Sequence, residues 1–529
     1  MPPSLIELAY SPELFHEAGR RLVDQLAEHL RRVSSREGLV FPWIDPRDNL
    51  AAAREMLVRP GGVEPVRTVD EAVDRFTGLV RKALDRGHNL HHPHYIGHQV
   101  PAPIPLAGLF DGLGAVTNNP MAIYEMGPWA TSAEQAMIGE LGAYLGWFGA
   151  VQPGENGVGV PGDIKVISRD AGGIVTHGAS LANLTAMLVA RNRALGGSWE
   201  AGVAPTCSGP APVLFTQADA HYCITRAGGI LGLGTNQVIK VPLDARRRMD
   251  VGRLDELVTK YRAAGHPIVA VAASACATPI GAFDPLDEVA DVCRRHDVWM
   301  HVDAAHGGAA LLSAKHRDLV RGIGEADSVT WDAHKMLFVP ALCAFLFYKR
   351  KSDSYEAFRQ SAPYLFDPRS PELMDFDGGL RTVECTKRAM VLGLWSVWSM
   401  FGPELFADLV DRTFALARCL YEKLEAASDF VPLHEPQCNI VVFRHVPERL
   451  RSAPAEVISA LQDRLRRAVC QSGRFYIVPC VIDGVAALRC TVMNPLTTAD
   501  DLEELMEAVR EMGREEGGPP RHEGTKEEE

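Results

Sequence analysis

Between about residues 130 and 350 the chain carries a series of short runs that are apolar throughout: VLFT (213–216), PIVAVAAS (267–274), VWMHVD (298–303), SVTW (328–331) and CAFLFY (343–348). A strand with one wet face alternates apolar and polar residues. These runs do not alternate, so both faces of each must be covered. Helical stretches fall between several of them, most clearly PLDEVADVCRRHD (285–297). Buried strands separated by helices build an α/β domain around a mostly parallel sheet. Ligands in such sheets bind outside the carboxyl ends of the strands, and this chain places its polar residues there.

The flanking regions read differently. LFHEAGRRLVDQLAEHLRRV (14–33) and TVDEAVDRFTGLVRKAL (68–84) repeat apolar residues at helical spacing, with a Pro/Gly-rich connector around Pro60 to Pro65. Two such helices cannot enclose a core of their own and are expected to pack on another domain or a partner chain. After about residue 390 comes a long helix interrupted near Gly402 and Pro403. An alternating segment NIVVFRHV (439–446), a strand pair RFYIV (474–478) and AALRCTVMN (486–494), and a closing helix follow. The expected organisation is an N-terminal helical segment (1–95), a large α/β domain (96–390), a small C-terminal α+β domain (391–515) and a disordered acidic tail (516–529).

Composition narrows the function. With 47% hydrophobic residues over 529 positions, the chain can fill large cores. A formal charge of −13 argues against a nucleic-acid partner, which would need clustered Lys and Arg. No apolar run reaches the ~18 residues of a membrane span, and the N-terminus lacks the basic start and apolar stretch of a secretion signal. A soluble, cytoplasmic protein is the expectation. The 11 cysteines are scattered singly, without CxxC or zinc-like spacing. They read as reduced thiols, with no metal and no disulfide framework.

Four segments carry chemistry. Lys335 directly follows a strand in SVTWDAHKMLFVP, with Asp332 and His334 ahead of it. Asp303 ends a strand in VWMHVDAAHGG, and the small residues after it let a flat ligand approach the backbone. A carboxylate there can pair with a protonated pyridine nitrogen and keep its ring an electron sink. In GGIVTHGASLANLTAMLVARNRA, Gly178, Ala179 and Ser180 open a helical segment. Backbone N–H groups, the positive helix end and the Ser180 hydroxyl make a phosphate seat. His221 stands just beyond VLFT in FTQADAHYCITRAGG, suited to ring stacking and to proton transfer near neutral pH. Each has an ordinary reading by itself: a surface lysine, a helix-capping aspartate, a tight turn, a structural histidine. Their joint occurrence at strand ends points to a cofactor.

In order and spacing these segments resemble the group II pyridoxal-phosphate-dependent amino acid decarboxylases, the glutamate, cysteine sulfinate, aromatic amino acid and 2,4-diaminobutyrate enzymes. The likeness spans about residues 70–510 and is carried by DAHK, HVDAA and ADAHYC together. It implies an aspartate aminotransferase-type fold (fold type I), pyridoxal 5′-phosphate as cofactor, and a homodimer with sites at its interface, the N-terminal helices packing on the partner subunit. Lys335 matches the lysine that holds the cofactor as a Schiff base, Asp303 the pyridinium partner and His221 the ring-stacking histidine. Gly178, Ala179 and Ser180 match the phosphate loop, with His334 beside it, and Ala305 the small residue under the ring. SAPYLFD resembles a mobile catalytic loop, placing Tyr364 at the tyrosine that returns a proton to the substrate carbon. AALRCTVMNP resembles the segment whose arginine grips the substrate α-carboxylate, which gives Arg489. SACATPIGAFDP departs from the family's Gly-Thr-Thr pattern: Cys276 and Ala277 precede Thr278, which is left as that segment's cofactor contact. His98 and Gln99, in HHPHYIGHQVPAP, stand where relatives build the substrate pocket.

The implied reaction is decarboxylation of an L-amino acid to its amine and CO2. The YLF loop and the C-terminal segment lean toward acidic substrates (glutamate, aspartate or cysteine sulfinate), with 2,4-diaminobutyrate and the aromatic amino acids open. One alternative is another pyridoxal-phosphate reaction on the same scaffold, either decarboxylation with oxidative deamination to an aldehyde or C–C lyase chemistry. Tyr364 speaks against the aldehyde route, since relatives that make aldehydes often lack that tyrosine. Another is a catalytically silent protein that keeps the fold for interaction, against which Lys335, Asp303 and His221 stand together.

Overall fold

The structure, a computed structural model, describes residues 4–59, 62–147, 167–207, 209–359 and 373–514. The chain divides into two compact units. Met1–His98, Cys419–Leu433 and Val441–Glu529 form the first, and Gln99–Arg418 with His434–Ile440 the second.

The second unit is built on a seven-stranded sheet: β1 (Gly172–Thr176), β2 (Val213–Gln217), β3 (Val238–Val241), β4 (Ile268–Ser274), β5 (Met300–Asp303), β6 (Ser328–Asp332) and β7 (Ala344–Tyr348). Their order is β1-β7-β6-β5-β4-β2-β3. Strands β3, β2, β4, β5 and β6 are mutually parallel, while β7 is antiparallel to both β6 and β1. The five apolar runs are β2, β4, β5, β6 and β7, displaced by two residues at most. Every residue of β2, β6 and β7 is buried, which is why none of them alternates. Strands β1 and β3 lacked that signature, since GGIVT is glycine-rich and VIKV carries a lysine. Helix Ala179–Ala194 follows β1 and buries Ala182, Ala186 and Val189 in a core shared with Leu214, Ala270 and Leu346 of the sheet.

In the first unit the two N-terminal helices lie at Pro12–Ser34 and Val69–Arg86, with the Ser11 and Thr68 hydroxyls accepting the N–H groups of Leu14 and Glu71 as caps. A four-stranded sheet has the order β10-β11-β9-β8, from β8 (Phe430–Pro432), β9 (Ile440–His445), β10 (Val478–Ile482) and β11 (Val485–Thr491). Here the expected strand RFYIV is displaced: β10 begins only at Val478. Phe475 instead stacks on His94, with ring centroids 4.1 Å apart, and Tyr476 lies parallel to Tyr95 at 5.7 Å. Aromatic residues that suit a strand are used here to pack the chain just ahead of it. In helix Leu392–Ala426 the expected interruption is real: Gly402 leaves helical geometry (φ 67°) just before Pro403. Among the described residues no helix is long and apolar enough to cross a membrane.

Candidate active site

Both β1 and β6 oppose β7, so the carboxyl ends of β1, β2, β4, β5 and β6 share one edge of the sheet. The segments leaving those ends line a cavity of about 260 Å³, close to the lower limit of ligand sites at roughly 300 Å³. Ten of the expected site residues line it (Gln99, Gly178, Ala179, Ser180, His221, Thr278, Asp303, Ala305, His334 and Lys335), together with Cys276, Ala277 and Asp332. All belong to the second unit.

Lys335 lies three residues beyond β6, its Nζ 3.1 Å from Asp332 Oδ2. Its side chain is surrounded by protein yet 23% exposed, because it opens on the cavity. Burial disfavours the ammonium, but Asp332 and Asp303 outweigh that effect and hold its pKa above the ordinary lysine value. Asp332 also faces His334 Nε2 at 3.6 Å, and His334 Nδ1 lies 2.9 Å from the Cys343 carbonyl.

Asp303 ends β5. Its Oδ2 accepts from Asn183 Nδ2 at 2.9 Å and its Oδ1 from the Ala305 N–H at 3.2 Å. An ionised carboxylate offers about four acceptor positions, so these two N–H donors, with the weak Cys223 Sγ contact to Oδ2 at 4.0 Å, orient it and leave capacity for a protonated ring nitrogen. His221 caps helix Tyr222–Ile230, its Nδ1 accepting the Cys223 N–H at 3.4 Å. Burial lowers its pKa against the pull of Asp303, so the ring is neutral at pH 7 and carries its proton on Nε2.

Gly178, at φ 95°, makes the turn into helix Ala179–Ala194, whose N-terminus has no side-chain cap. The first N–H groups of such a helix have no partner within it and face an anion well. Behind this turn a buried ion pair fixes β1: Lys387 Nζ donates to Glu134 Oε1 and Oε2 at 2.6 and 2.8 Å and to the Val175 carbonyl at 2.7 Å.

The other named residues are not part of this lining. Arg489 is in β11 of the first unit, 5% exposed, and His98 is in the same unit with its ring 5.6 Å from Tyr476. Tyr364 is outside the described residues. Sequence reasoning passed over His177, Ser274 and His306, which also line the cavity, and Asn183 behind Asp303. Nothing in the sequence singled out the last, since Thr185 and a second asparagine, Asn192, are buried in the same helix.

An amine to bond an aldehyde, a carboxylate for a ring nitrogen and an open helix start for a phosphate surround one cavity, and they fit pyridoxal 5′-phosphate. Fold and cavity together define a fold type I pyridoxal-phosphate enzyme. The pyridoxal-dependent decarboxylase conserved domain matches residues 70–446, and the chain belongs to that family. It is 30% identical over 458 residues to the acidic amino acid decarboxylase GADL1 of Mus musculus, covering 85% of this chain and 79% of that protein. The Homo sapiens counterpart is 28% identical over 96% of this chain and 92% of its own length. The crystal structure of mouse CSAD in apo form superposes with a TM-score of 0.81 at 27% identity, covering 95% of this chain and 98% of that one. The chain is thus a pyridoxal 5′-phosphate-dependent carboxy-lyase acting on an amino acid.

Proposed function

We propose that the chain removes the α-carboxyl group of an L-amino acid with an acidic side chain (glutamate, aspartate or cysteine sulfinate) or of 2,4-diaminobutyrate. The observation that carries the chemistry is the grouping of Lys335, Asp303 and the uncapped helix start around one cavity. The acidic leaning is supported by the relatives, an acidic amino acid decarboxylase at 30% identity and CSAD at 27%.

When bound, pyridoxal 5′-phosphate supplies an electron sink for the pair left by departing CO2. In this reading Lys335 carries the cofactor through Nζ, and Asp303 keeps its ring nitrogen protonated. The N–H groups of Ala179 and Ser180 and the Ser180 hydroxyl take the phosphate after the Gly178 turn, with Thr278 and His334 beside it. Ala305 and His221, both in the cavity lining, would hold the cofactor ring. Tyr364, assisted by His221, returns the proton to the α-carbon. Arg489 binds the α-carboxylate, and His98 and Gln99 face the substrate side chain.

We also read the protein as a cytoplasmic homodimer, with residues 1–95 on the partner subunit, 96–390 as the cofactor-binding domain, 391–515 as the small domain and 516–529 as a tail. Leu106, Leu109, Leu113 and Val116 are all exposed along helix Pro105–Thr117, with Trp129 exposed at the start of the next helix. An apolar stripe of this kind favours a self-complementary contact.

The test is incubation of cofactor-loaded protein with aspartate, glutamate, cysteine sulfinate, 2,4-diaminobutyrate and the aromatic amino acids, with products identified by mass spectrometry. An amine one CO2 lighter than an acidic substrate or 2,4-diaminobutyrate supports the proposal. An amine from an aromatic substrate alone, or an aldehyde with hydrogen peroxide, overturns it.

A further inference from the structure

A chain of polar side chains runs through the core behind Asp303. Asn183 is fully buried in helix Ala179–Ala194; its Nδ2 donates to Asp303 Oδ2 at 2.9 Å, and its Oδ1 is 2.8 Å from His301 Nε2. His301, fully buried in β5, places Nδ1 2.8 Å from Ser328 Oγ at the start of β6. Ser328 Oγ in turn lies 3.0 Å from Trp299 Nε1. The directions follow inward from Asp303, whose carboxylate only accepts and so takes the Asn183 NH2. An indole N–H only donates, so the serine oxygen accepts from Trp299. An amide oxygen only accepts, so His301 carries its own proton on Nε2. With its oxygen turned to His301, Asn183 presents its NH2 to Asp303. Burial pushes the His301 pKa down to about 4, so the ring is neutral near pH 7. The neighbouring Cys223 thiol, 3.2 Å from Asn183 Nδ2, stays neutral because burial raises its pKa to about 12.

We infer that Trp299, Ser328, His301 and Asn183 form a positioning relay that fixes Asp303 as the acceptor for the cofactor's ring nitrogen. This rests on the role proposed above for Asp303. The two ends of an asparagine amide have nearly the same shape, so packing alone does not choose between them. A flipped Asn183 would set its oxygen against the Asp303 carboxylate and its NH2 against the His301 Nε2–H, which opposes like groups at both ends in a core buried from solvent. The Asp303 carboxylate excludes that alternative at one end, and the His301 Nε2–H that follows from it holds the other. Apolar side chains would fill the same space without any polar group to satisfy, so satisfying all four groups in one direction indicates a directional role.

The experiment uses the cofactor-loaded enzyme with His301→Leu, His301→Gln, Asn183→Leu and Asn183→Asp. Cofactor dissociation constants, the cofactor absorbance band against pH, and kcat and KM are measured separately. The leucine variants are expected to raise the dissociation constant about tenfold, displace the pH profile of the band and lower kcat with KM little changed. His301→Gln, which keeps an N–H for Asn183, recovers most of this. Asn183→Asp has nearly the native shape and serves where leucine costs the fold; it sets a second carboxylate against Asp303 and is expected to weaken cofactor binding as well. Folded variants with native dissociation constant and pH profile overturn the relay. Asp303→Asn separates the two ideas. If it also behaves as the native enzyme, the role of Asp303 itself fails. If it alone is impaired, only the relay fails.

Discussion

Lys387→Met tests how the phosphate turn is held. The Lys387 and Glu134 side chains are 0% and 5% exposed, and between them they satisfy both backbone groups of Val175. Lys387 donates to its carbonyl at 2.7 Å, and Glu134 Oε1 accepts its N–H at 3.2 Å. Among the described residues β1 is an edge strand, and these groups have no strand partner on that side. Methionine keeps most of the lysine volume but leaves the glutamate carboxylate buried without its cation. Breaking one partner of a buried pair costs about 3–5 kcal/mol. Adding Glu134→Gln to the same chain removes the stranded charge, and one amide can accept from the Val175 N–H and donate to its carbonyl. The double variant should therefore recover most of the lost stability. Urea unfolding of cofactor-loaded protein at pH 7 measures both, and the cofactor dissociation constant is read alongside. Val175 lies three residues before Gly178, so the single variant should also bind the cofactor about tenfold more weakly, a loss of about 1.4 kcal/mol. A single variant within about 0.5 kcal/mol of native, or a double variant less stable than the single, refutes this account of the pair.

Lys335→Ala should lose the bound-cofactor absorbance band and about 10³-fold or more in turnover; near-native rate in steady-state assays would exclude Lys335 as the cofactor carrier. Acid should weaken the fold in two stages. Burial holds His88, His92 and His301 at about 4 against an ordinary 6.5, so the unfolded chain binds more protons below pH 6.5. Their contribution is complete above that pH and is lost as pH falls toward 4. Burial also opposes ionisation of Asp501, but Arg36 and Thr498 outweigh it and hold its carboxyl at about 2; its contribution is complete above about pH 4 and lost toward pH 2. Urea midpoints measured from pH 7.5 to 4.5 should fall, and a flat profile contradicts the burial argument. Leu109→Glu with Leu113→Glu should convert the proposed dimer to monomer in light scattering, and an unchanged mass places the contact elsewhere.

The legible part of the fold was the part with short-range signals. A strand buried on both faces is apolar at consecutive positions, so β2, β4, β5, β6 and β7 stood out. β1 and β3, with glycines or a lysine, did not. Cavity residues such as Asp303 and Lys335 follow such strands by at most three positions, which ties their placement to the strand itself. RFYIV misled because aromatic residues suit a strand and a stacked loop equally well, and only the presence of His94 and Tyr95 beside it decides. Ala277 for a family threonine left the cavity in place, with Ala277 and Thr278 both in its lining.

Residues that hold the cavity in place obey a different rule. Asn183 is 118 positions from His301 and 120 from Asp303, and Glu134 is 253 from Lys387. No periodicity relates such partners, because each polar group is tolerable only once the other has been brought to it by the sheet. In sequence Lys387 and Glu134 look like two unrelated charges on polar stretches. Their burial would be costly for either alone, and that cost makes the fold's register and the pairing depend on each other. A one-residue slip of β1 against β7 would carry Val175 away from both side chains and strand two charges in the interior. The ion pair thus selects the register that sets Gly178 at the sheet edge, and with it the position of the helix start that the phosphate needs.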